Sequence, residues 1–380
     1  MTLLAALVAS SSAVEFVVTV PEQTPADALV YVSGSVPELG NWKADGRQLA
    51  RAEDGTFRAE IPLEVGQNVE FKCTLGTWET VEKNADGSER DNRVLNVEKQ
   101  SMKLEAKVER WASAEQMAES SVVGTIKLHT IQSNALGKQR TLRVWLPADY
   151  ESNLDRRYPV LYMHDGQNCF DKRTSAFGNE WQIDETLTKL IDEKKVPPMI
   201  VVGIDNGGAD RISEYTFVAD PKHGGGNGER YAAFLLNEVR PLIDRTYRTQ
   251  VGRESCFIGG SSLGGLVSLE IARRHPDVFG GVIAMSPSLH WSGMSIVTEL
   301  ERDSSRLANT RVWIDMGTSE GDAADAFLNV DLTKRVDAAL KDQKIEHHAT
   351  IAEGAEHNEA AWAKRFPDAI VYLTNPAIEK

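Results

Sequence analysis

Cysteine is scarce in this sequence: three among 380 residues, Cys73, Cys169 and Cys256. An odd, widely spaced set excludes an even disulfide framework, and no Cys/His spacing matches a zinc site, so no metal is expected. Cys73 and Cys256 lie in apolar strand-like runs and read as small core residues. Basic residues are short too: 42 Lys and Arg against 56 Asp and Glu leave a formal net charge of −14. That balance disfavours phosphate backbones and anionic lipid, so neither nucleic acid nor a membrane is an expected partner. No apolar run approaches the roughly 20 residues of a bilayer span. Gly224-Gly225-Gly226 lacks the lysine that completes a phosphate-binding loop, and no cofactor is expected.

What is present is an ordinary globular composition, 41% hydrophobic and 26% charged, long enough for one or two domains. The chain opens on apolar Thr2–Ala9 and then Ser10-Ser11-Ser12-Ala13, an export-signal pattern without its basic start. Residues 1–13 are therefore expected to be a signal remnant and the protein secreted or periplasmic, with the cytoplasm as the alternative. Short alternating runs follow at Val14–Val20, Leu29–Ser33, Thr56–Ile61, Val69–Thr74, Arg93–Val97 and Ser101–Val108, separated by turn residues. That rhythm predicts a small antiparallel β-sandwich over residues 14–108. Residues 109–121 read as a linker. From Val122 to about residue 376, strand runs alternate with helical segments such as Asp184–Glu193 and Arg230–Tyr247, the pattern of a doubly wound, mostly parallel sheet.

The chemistry concentrates at Gly260-Ser261-Ser262-Leu263-Gly264. It follows an apolar strand, Ser255–Ile258, and opens a helix whose apolar periodicity runs through Leu266, Leu269, Ile271 and Ala272. A serine between two glycines on a strand-to-helix turn is a nucleophile elbow. The glycines are needed because strand and helix pass so close that side chains there would clash. In this arrangement the acid and the base follow the nucleophile in the chain. The strand Val312–Met316 leads into Gly317-Thr318-Ser319-Glu320, and His348–Ala352 leads to His357. Sites in open parallel sheets gather beyond the carboxyl ends of strands, where Ser262, Glu320 and His357 would all stand. His357 would take the serine proton and Glu320 would orient the imidazole. Asp322 competes with Glu320 for that role, and His290 is a weaker candidate base. Oxyanion donors are expected from the backbone N–H groups of Leu263 and Gln167, the latter in the loop His164-Asp165-Gly166-Gln167-Asn168 after the strand Tyr158–Met163.

Several stretches together resemble an esterase family of α/β-hydrolases that includes feruloyl and acetyl-xylan esterases, enterochelin esterase and the mycolyltransferases. They are Tyr158–Met163 with Asp165-Gly166-Gln167-Asn168, Arg211 with Glu214-Tyr215, Gly259–Gly265, Ser286-Pro287-Ser288, Gly317–Glu320 and His357-Asn358-Glu359. The resemblance spans residues 122–376 and implies carboxylic ester hydrolysis with Ser262 as nucleophile and His357 as base. In the family's feruloyl esterases an aspartate stands where Glu320 stands here, and in some enterochelin-cleaving members the third residue is weak or absent. Trp181, Arg211, Tyr215, His290 and Trp291 are expected to wall the substrate pocket.

In the first hundred residues, Val30–Ser35, Leu39-Gly40-Asn41-Trp42, Glu70-Phe71-Lys72 and Asn92-Arg93 resemble a starch-binding carbohydrate module. The resemblance implies that the Trp42 indole stacks on a glucose ring and that Lys72 assists. The module's second tryptophan is missing at Gly87-Ser88-Glu89, and Trp78 is the nearest replacement; Trp42 and Trp78 could equally cap the core. Three functions follow as expectations. One is a serine esterase that removes acyl groups from a carbohydrate through an acyl-enzyme, with an α-glucan held by the N-terminal module. The others are an esterase for a siderophore or small lactone, and a non-catalytic glycan-binding protein.

Overall fold

The computed structural model describes residues 11–25, 28–88, 90–99, 101–112, 120–175 and 179–374. The apolar start expected to be an export signal (residues 1–10), Glu89 and the middle of the expected linker (113–119) lie outside them. The chain divides into two compact units, Met1–Glu119 and Ser120–Lys380.

The first unit is β-rich. Its strands are β1 (Ser11–Thr19), β2 (Val30–Gly34), β3 (Arg47–Arg51), β4 (Phe57–Glu64), β5 (Asn68–Thr74), β6 (Glu82–Lys83), β7 (Arg93–Asn96), β8 (Met102–Lys107) and β9 (Arg110–Trp111). Seven of them pair in the order β7-β5-β2-β3-β4-β1-β8, while β6 and β9 pair separately. Alternation drives the pairing: Val14, Phe16 and Val18 of β1 and Val30 and Val32 of β2 all point into one core. The pattern departs from the sequence expectation in three places. The β1–β8 pair is parallel, not antiparallel; the chain reaches that edge after a long excursion through β5 and β7, so no hairpin constrains its direction. Strand β1 takes in Ser11 to Ala13, which pair with Glu64 to Pro62. Arg110–Trp111 belongs to the folded unit and not to a linker, because the Trp111 indole is buried in the core and its Nε1 donates to Thr24 Oγ1 at 2.9 Å.

The second unit is built on an eight-stranded sheet: β10 (Thr125–Gln132), β11 (Gln139–Leu146), β12 (Val160–His164), β13 (Ile200–Ile204), β14 (Cys256–Ser261), β15 (Gly281–Met285), β16 (Arg311–Gly317) and β17 (His347–Ala352). The order is β10-β11-β13-β12-β14-β15-β16-β17. The β10–β11 and β11–β13 pairs are antiparallel and every later pair is parallel. Its helices are α1 (Ile183–Asp192), α2 (Arg211–Glu214), α3 (Gly228–Phe234), α4 (Arg240–Thr246), α5 (Leu263–Arg274), α6 (Trp291–Arg302), α7 (Ala323–Asp342) and α8 (Glu359–Thr374). The period of two sorts strand residues to opposite faces. Tyr162, Ile258, Val282 and Ile314 join a core with residues of α3, α4, α5 and α7. Leu161, Met163, Phe257, Ile283 and Trp313 join a second core with residues of α1 and α8. Helices thus cover both faces, and the parallel strands leave their carboxyl ends at one rim. The helix expected over Arg230–Tyr247 is interrupted between α3 and α4 by a wider π-type turn, Leu235–Val239. Pro241 follows, which has no N–H to continue the ladder.

Candidate active site

Strand β14 is buried along its whole length and stops at Ser261. Ser262 then takes φ 57° and ψ −126°, a conformation that side-chain-bearing residues rarely adopt, and α5 begins at once. A Cβ on Gly260 would meet the Gly264 backbone at 3.0 Å, and one on Gly264 would meet Asp165 Oδ2 at 3.2 Å. The glycines therefore permit the close approach of strand, helix and the loop after β12. Ser262 N donates to Met285 O at 3.0 Å, and Ser288 N donates back to Ser262 O at 3.1 Å. These bonds hold the elbow against the loop after β15. The Ser262 hydroxyl lies 3.3 Å from Ser288 Oγ.

Glu320 lies just past β16, buried at 2% exposure. Its Oε2 is 2.7 Å from His357 Nδ1. Its Oε1 accepts from Ser286 Oγ at 2.5 Å and from Gly317 N at 2.7 Å. Ser286 Oγ also accepts from Trp362 Nε1 at 3.0 Å and Arg365 Nη2 at 2.9 Å. Arg365 reaches Asp315 Oδ1 at 3.1 Å. Burial pushes the Asp315 carboxyl up, against the pull of Arg365. Outside this buried array, the His357 ring stands edge-on to Trp362 at 5.0 Å between centroids, with its side chain 40% exposed. Asp322, the competing acid, is exposed and caps α7 by accepting from Ala324 N and Asp325 N at 2.8 and 2.9 Å. It is therefore engaged by helix N–H groups, while Glu320 contacts the imidazole.

Ser262, Leu263, Ser288, His290, Trp291, Met316, Asn329, Glu320 and His357 line one cavity of about 260 Å³. Leu263 heads α5, so its N–H is free of helix partners there. Gln167 sits on a 3₁₀ turn, Gly166–Asn168, entered through Asp165 at φ 54°. The turn presses on β13, where a Cβ on Gly166 would lie 2.3 Å from the Gly203 carbonyl carbon. The Gln167 side chain accepts from Asn206 N at 3.1 Å, and Asn168 Nδ2 donates to Glu359 Oε1 at 2.9 Å, tying this loop to the start of α8. Burial pushes the Glu359 carboxyl up.

The residues expected to wall the pocket divide. His290 and Trp291 line the cavity. Trp181 is buried in the second core, its ring 5.7 Å from that of Trp362 and tilted by 32°; it backs the tryptophan behind His357. Tyr215 is fully buried, and its OH accepts from Asp165 N at 3.1 Å. Arg211 is held by Asp165 in two bonds of 2.7 and 2.8 Å and lies over the Tyr215 ring. These two brace the Asp165 turn and do not line the cavity. Ser286 and Ser288 come from the matching Ser286-Pro287-Ser288 stretch, whereas Asn329, Trp362 and Arg365 carry weight that the sequence reading missed. The signal was the i, i+3 spacing of Trp362 and Arg365 on one helix face.

In the first unit, the Trp42 and Trp78 rings lie 6.3 Å apart with planes tilted by 40°. Trp78 is 41% exposed, and neither ring belongs to the core. Trp42 sits at φ 62°, beyond the turn at Gly40. Lys72 donates through Nζ to Arg90 O, and Asn92 donates to Glu70 Oε2 at 2.9 Å. The three cysteines are free and buried.

Residues 133–373 match the family model described as "Putative esterase", and residues 11–107 match a starch binding domain. An endo-1,4-beta-xylanase/feruloyl esterase from Xylanibacter ruminicola is 25% identical over 63% of this chain and 30% of its own length. The ferri-bacillibactin esterase BesA of Bacillus subtilis is 30% identical over 36% of this chain and 49% of its own. Among solved structures, a ferulic acid esterase from Anaeromyces mucronatus superposes with a TM-score of 0.51 and 22% identity, covering 67% of this chain and 91% of that one. The second unit has the fold of esterases of the α/β-hydrolase type. The chain belongs to the esterase family whose model it matches, and it is a carboxylic ester hydrolase preceded by a β-rich starch-binding-type domain.

Proposed function

We propose that the protein is a serine esterase acting on acylated carbohydrate, with Ser262 as nucleophile, His357 as general base and Glu320 as the acid that orients it. The observation that carries the proposal is the Glu320 Oε2 to His357 Nδ1 contact of 2.7 Å at a cavity shared with Ser262. With Nδ1 bound by the carboxylate, Nε2 is the nitrogen left to take a proton. In the reaction the Ser262 hydroxyl, now 3.3 Å from Ser288 Oγ, would turn to that nitrogen. Ser262 Oγ attacks the ester carbonyl, and the proton passes to His357. The backbone N–H groups of Leu263 and Gln167 hold the oxyanion, and the imidazolium protonates the leaving alcohol. Water, activated by the same histidine, then releases the acid.

The carbohydrate substrate rests on the paired, partly exposed Trp42 and Trp78 rings and on the starch binding match. Flat indoles suit the apolar C–H faces of sugar rings, so the first unit would hold an α-glucan in the sandwich architecture typical of such modules. BesA's similarity supports a second reading, cleavage of a siderophore-type lactone. A fluorophosphonate probe should label the wild type and not Ser262→Ala; equal labelling of both would remove Ser262 from the mechanism. A parallel screen of acetyl, feruloyl and macrolactone esters separates the two substrate readings by relative kcat/KM.

A further inference from the structure

At the start of α1, away from the cavity of Ser262, one carboxylate oxygen from each of Glu180, Asp184 and Glu185 lies within 4.8 Å of the other two. Glu180 is 7% exposed and Asp184 fully buried. The hydrogen bonds at these carboxylates are one-sided. Glu180 Oε1 accepts from Ser121 Oγ, which itself accepts from Lys172 N at 3.0 Å. Asp184 Oδ2 accepts from Val123 N at 2.6 Å. The opposite oxygens, Glu180 Oε2 and Asp184 Oδ1, together with Glu185 Oε2, are buried and have no donor. Glu180 and Asp184 are thus each held by one oxygen, while the other has no donor.

Helix polarity explains part of this. Asp184 and Glu185 stand in the first turn of α1, where backbone N–H groups favour negative charge. It does not explain Glu180, which precedes the helix, nor three buried carboxylate oxygens without a donor. Burying unpaired carboxylates together is costly unless a cation or a proton joins them.

We propose that Glu180, Asp184 and Glu185 form a site for a calcium-type divalent cation. Hard cations take carboxylate oxygens, and calcium binds them at about 2.3–2.6 Å, so any two oxygens on one ion lie no more than about 5.2 Å apart. A mutual spacing within 4.8 Å fits that span. Ser121 and the Val123 N–H act as the outer partners that orient the ligands. The ion would join three stretches of the second unit: the segment entering β10, the loop carrying Glu180, and α1. Trp181, next in the chain to Glu180, packs against Trp362, so the bound ion would also steady the layer behind His357. It would take no part in ester cleavage, and the site stands whether or not Ser262 is the nucleophile.

The full chain is stripped with chelator and titrated with calcium, magnesium and manganese chlorides by calorimetry, with thermal unfolding in parallel. One calcium ion per chain should bind, raising the unfolding midpoint by several degrees. Terbium should give luminescence sensitised by the nearby indole of Trp181 and be displaced by calcium. Glu180→Gln should weaken calcium at least about 100-fold. Glu185→Gln, at the less buried position, gives the same test should the first variant fail to fold. No calcium heat, no terbium signal and an unchanged midpoint would overturn the proposal and leave a shared proton as what joins the acids. Binding that survives both variants unchanged would overturn it equally.

Discussion

Ser286 is the residue on which the geometry of the site turns. Its hydroxyl gives its single proton to Glu320 and accepts from Trp362 and Arg365, so it ties the acid to α8. Removing it leaves Glu320 with Gly317 N, His357 and the Arg365 guanidinium at 3.8 Å. A hydrogen bond to a charged group is worth about 1.5–3 kcal/mol, so Ser286→Ala should lower kcat on a soluble ester by about 10- to 100-fold with KM little changed. Glu320→Gln should cost more, up to about 10⁴-fold, because the amide no longer selects the tautomer that leaves Nε2 free. A loss of rate matched by a fall in the unfolding midpoint would mean that Ser286 acts through the fold and not through Glu320. His164 gives a second prediction at this scale. It is buried at the end of β12 with Nδ1 2.8 Å from Tyr231 OH. Burial first, with Arg211 adding to it, pushes its imidazole down to about 4 from an ordinary 6.5. Between those values the unfolded chain binds a proton that the folded chain refuses. Stability is therefore full above about 6.5 and declines as pH falls toward 4, by about 3 kcal/mol in all. Urea unfolding at pH 7, 6 and 5 should show the decline in the wild type and a shallower one in His164→Asn; the same slope in both would assign it elsewhere.

At the scale of elements, the elbow is a packing problem before it is a catalytic one. Gly260 and Gly264 stand where β14, α5 and the Asp165 turn pass within contact distance. Gly264→Ala would press a methyl on Asp165 Oδ2 and His164 Cβ, at 3.2 and 3.3 Å. Overpacking of this kind costs about 1–3 kcal/mol, so the urea midpoint should fall and turnover should drop as the Asp165 loop is pushed away; an unchanged midpoint would show that the loop yields freely. This element was legible in the sequence because a strand, two glycines and an apolar helix leave few ways to turn. Strand β3 was not. In Arg47-Gln48-Leu49-Ala50-Arg51 only Leu49 faces inward, so there is no alternation to read. Trp181 and Tyr215 were expected at the pocket wall, but polarity and aromaticity do not tell a wall from its backing. Trp181 packs behind Trp362, and Tyr215 braces Asp165. The carboxylate group at α1 was invisible for a related reason: Glu180 joins Asp184 and Glu185 only once the loop folds back on the helix.

At the scale of the whole molecule, a starch-binding-type domain and an esterase domain share one chain, and the proposal assigns them separable tasks. Holding a polymer by one domain raises the concentration of its ester groups near the other without adding a contact in the cavity. A soluble aryl ester gains nothing from this, since it never engages the first unit. Trp42→Ala, alone or with Trp78→Ala, should therefore leave kcat/KM on the soluble ester unchanged. The same variants should lose retention on insoluble starch and hydrolyse an acylated α-glucan about tenfold more slowly at low substrate. The aromatic pair makes the experiment sharp, because both rings stand outside the core and their removal costs little stability. Should the variants keep full retention on starch, the rings would not be the glucan platform. Should retention fall while the rate on the polymer holds, tethering would play no part in catalysis, and the lactone reading would gain over the glycan one.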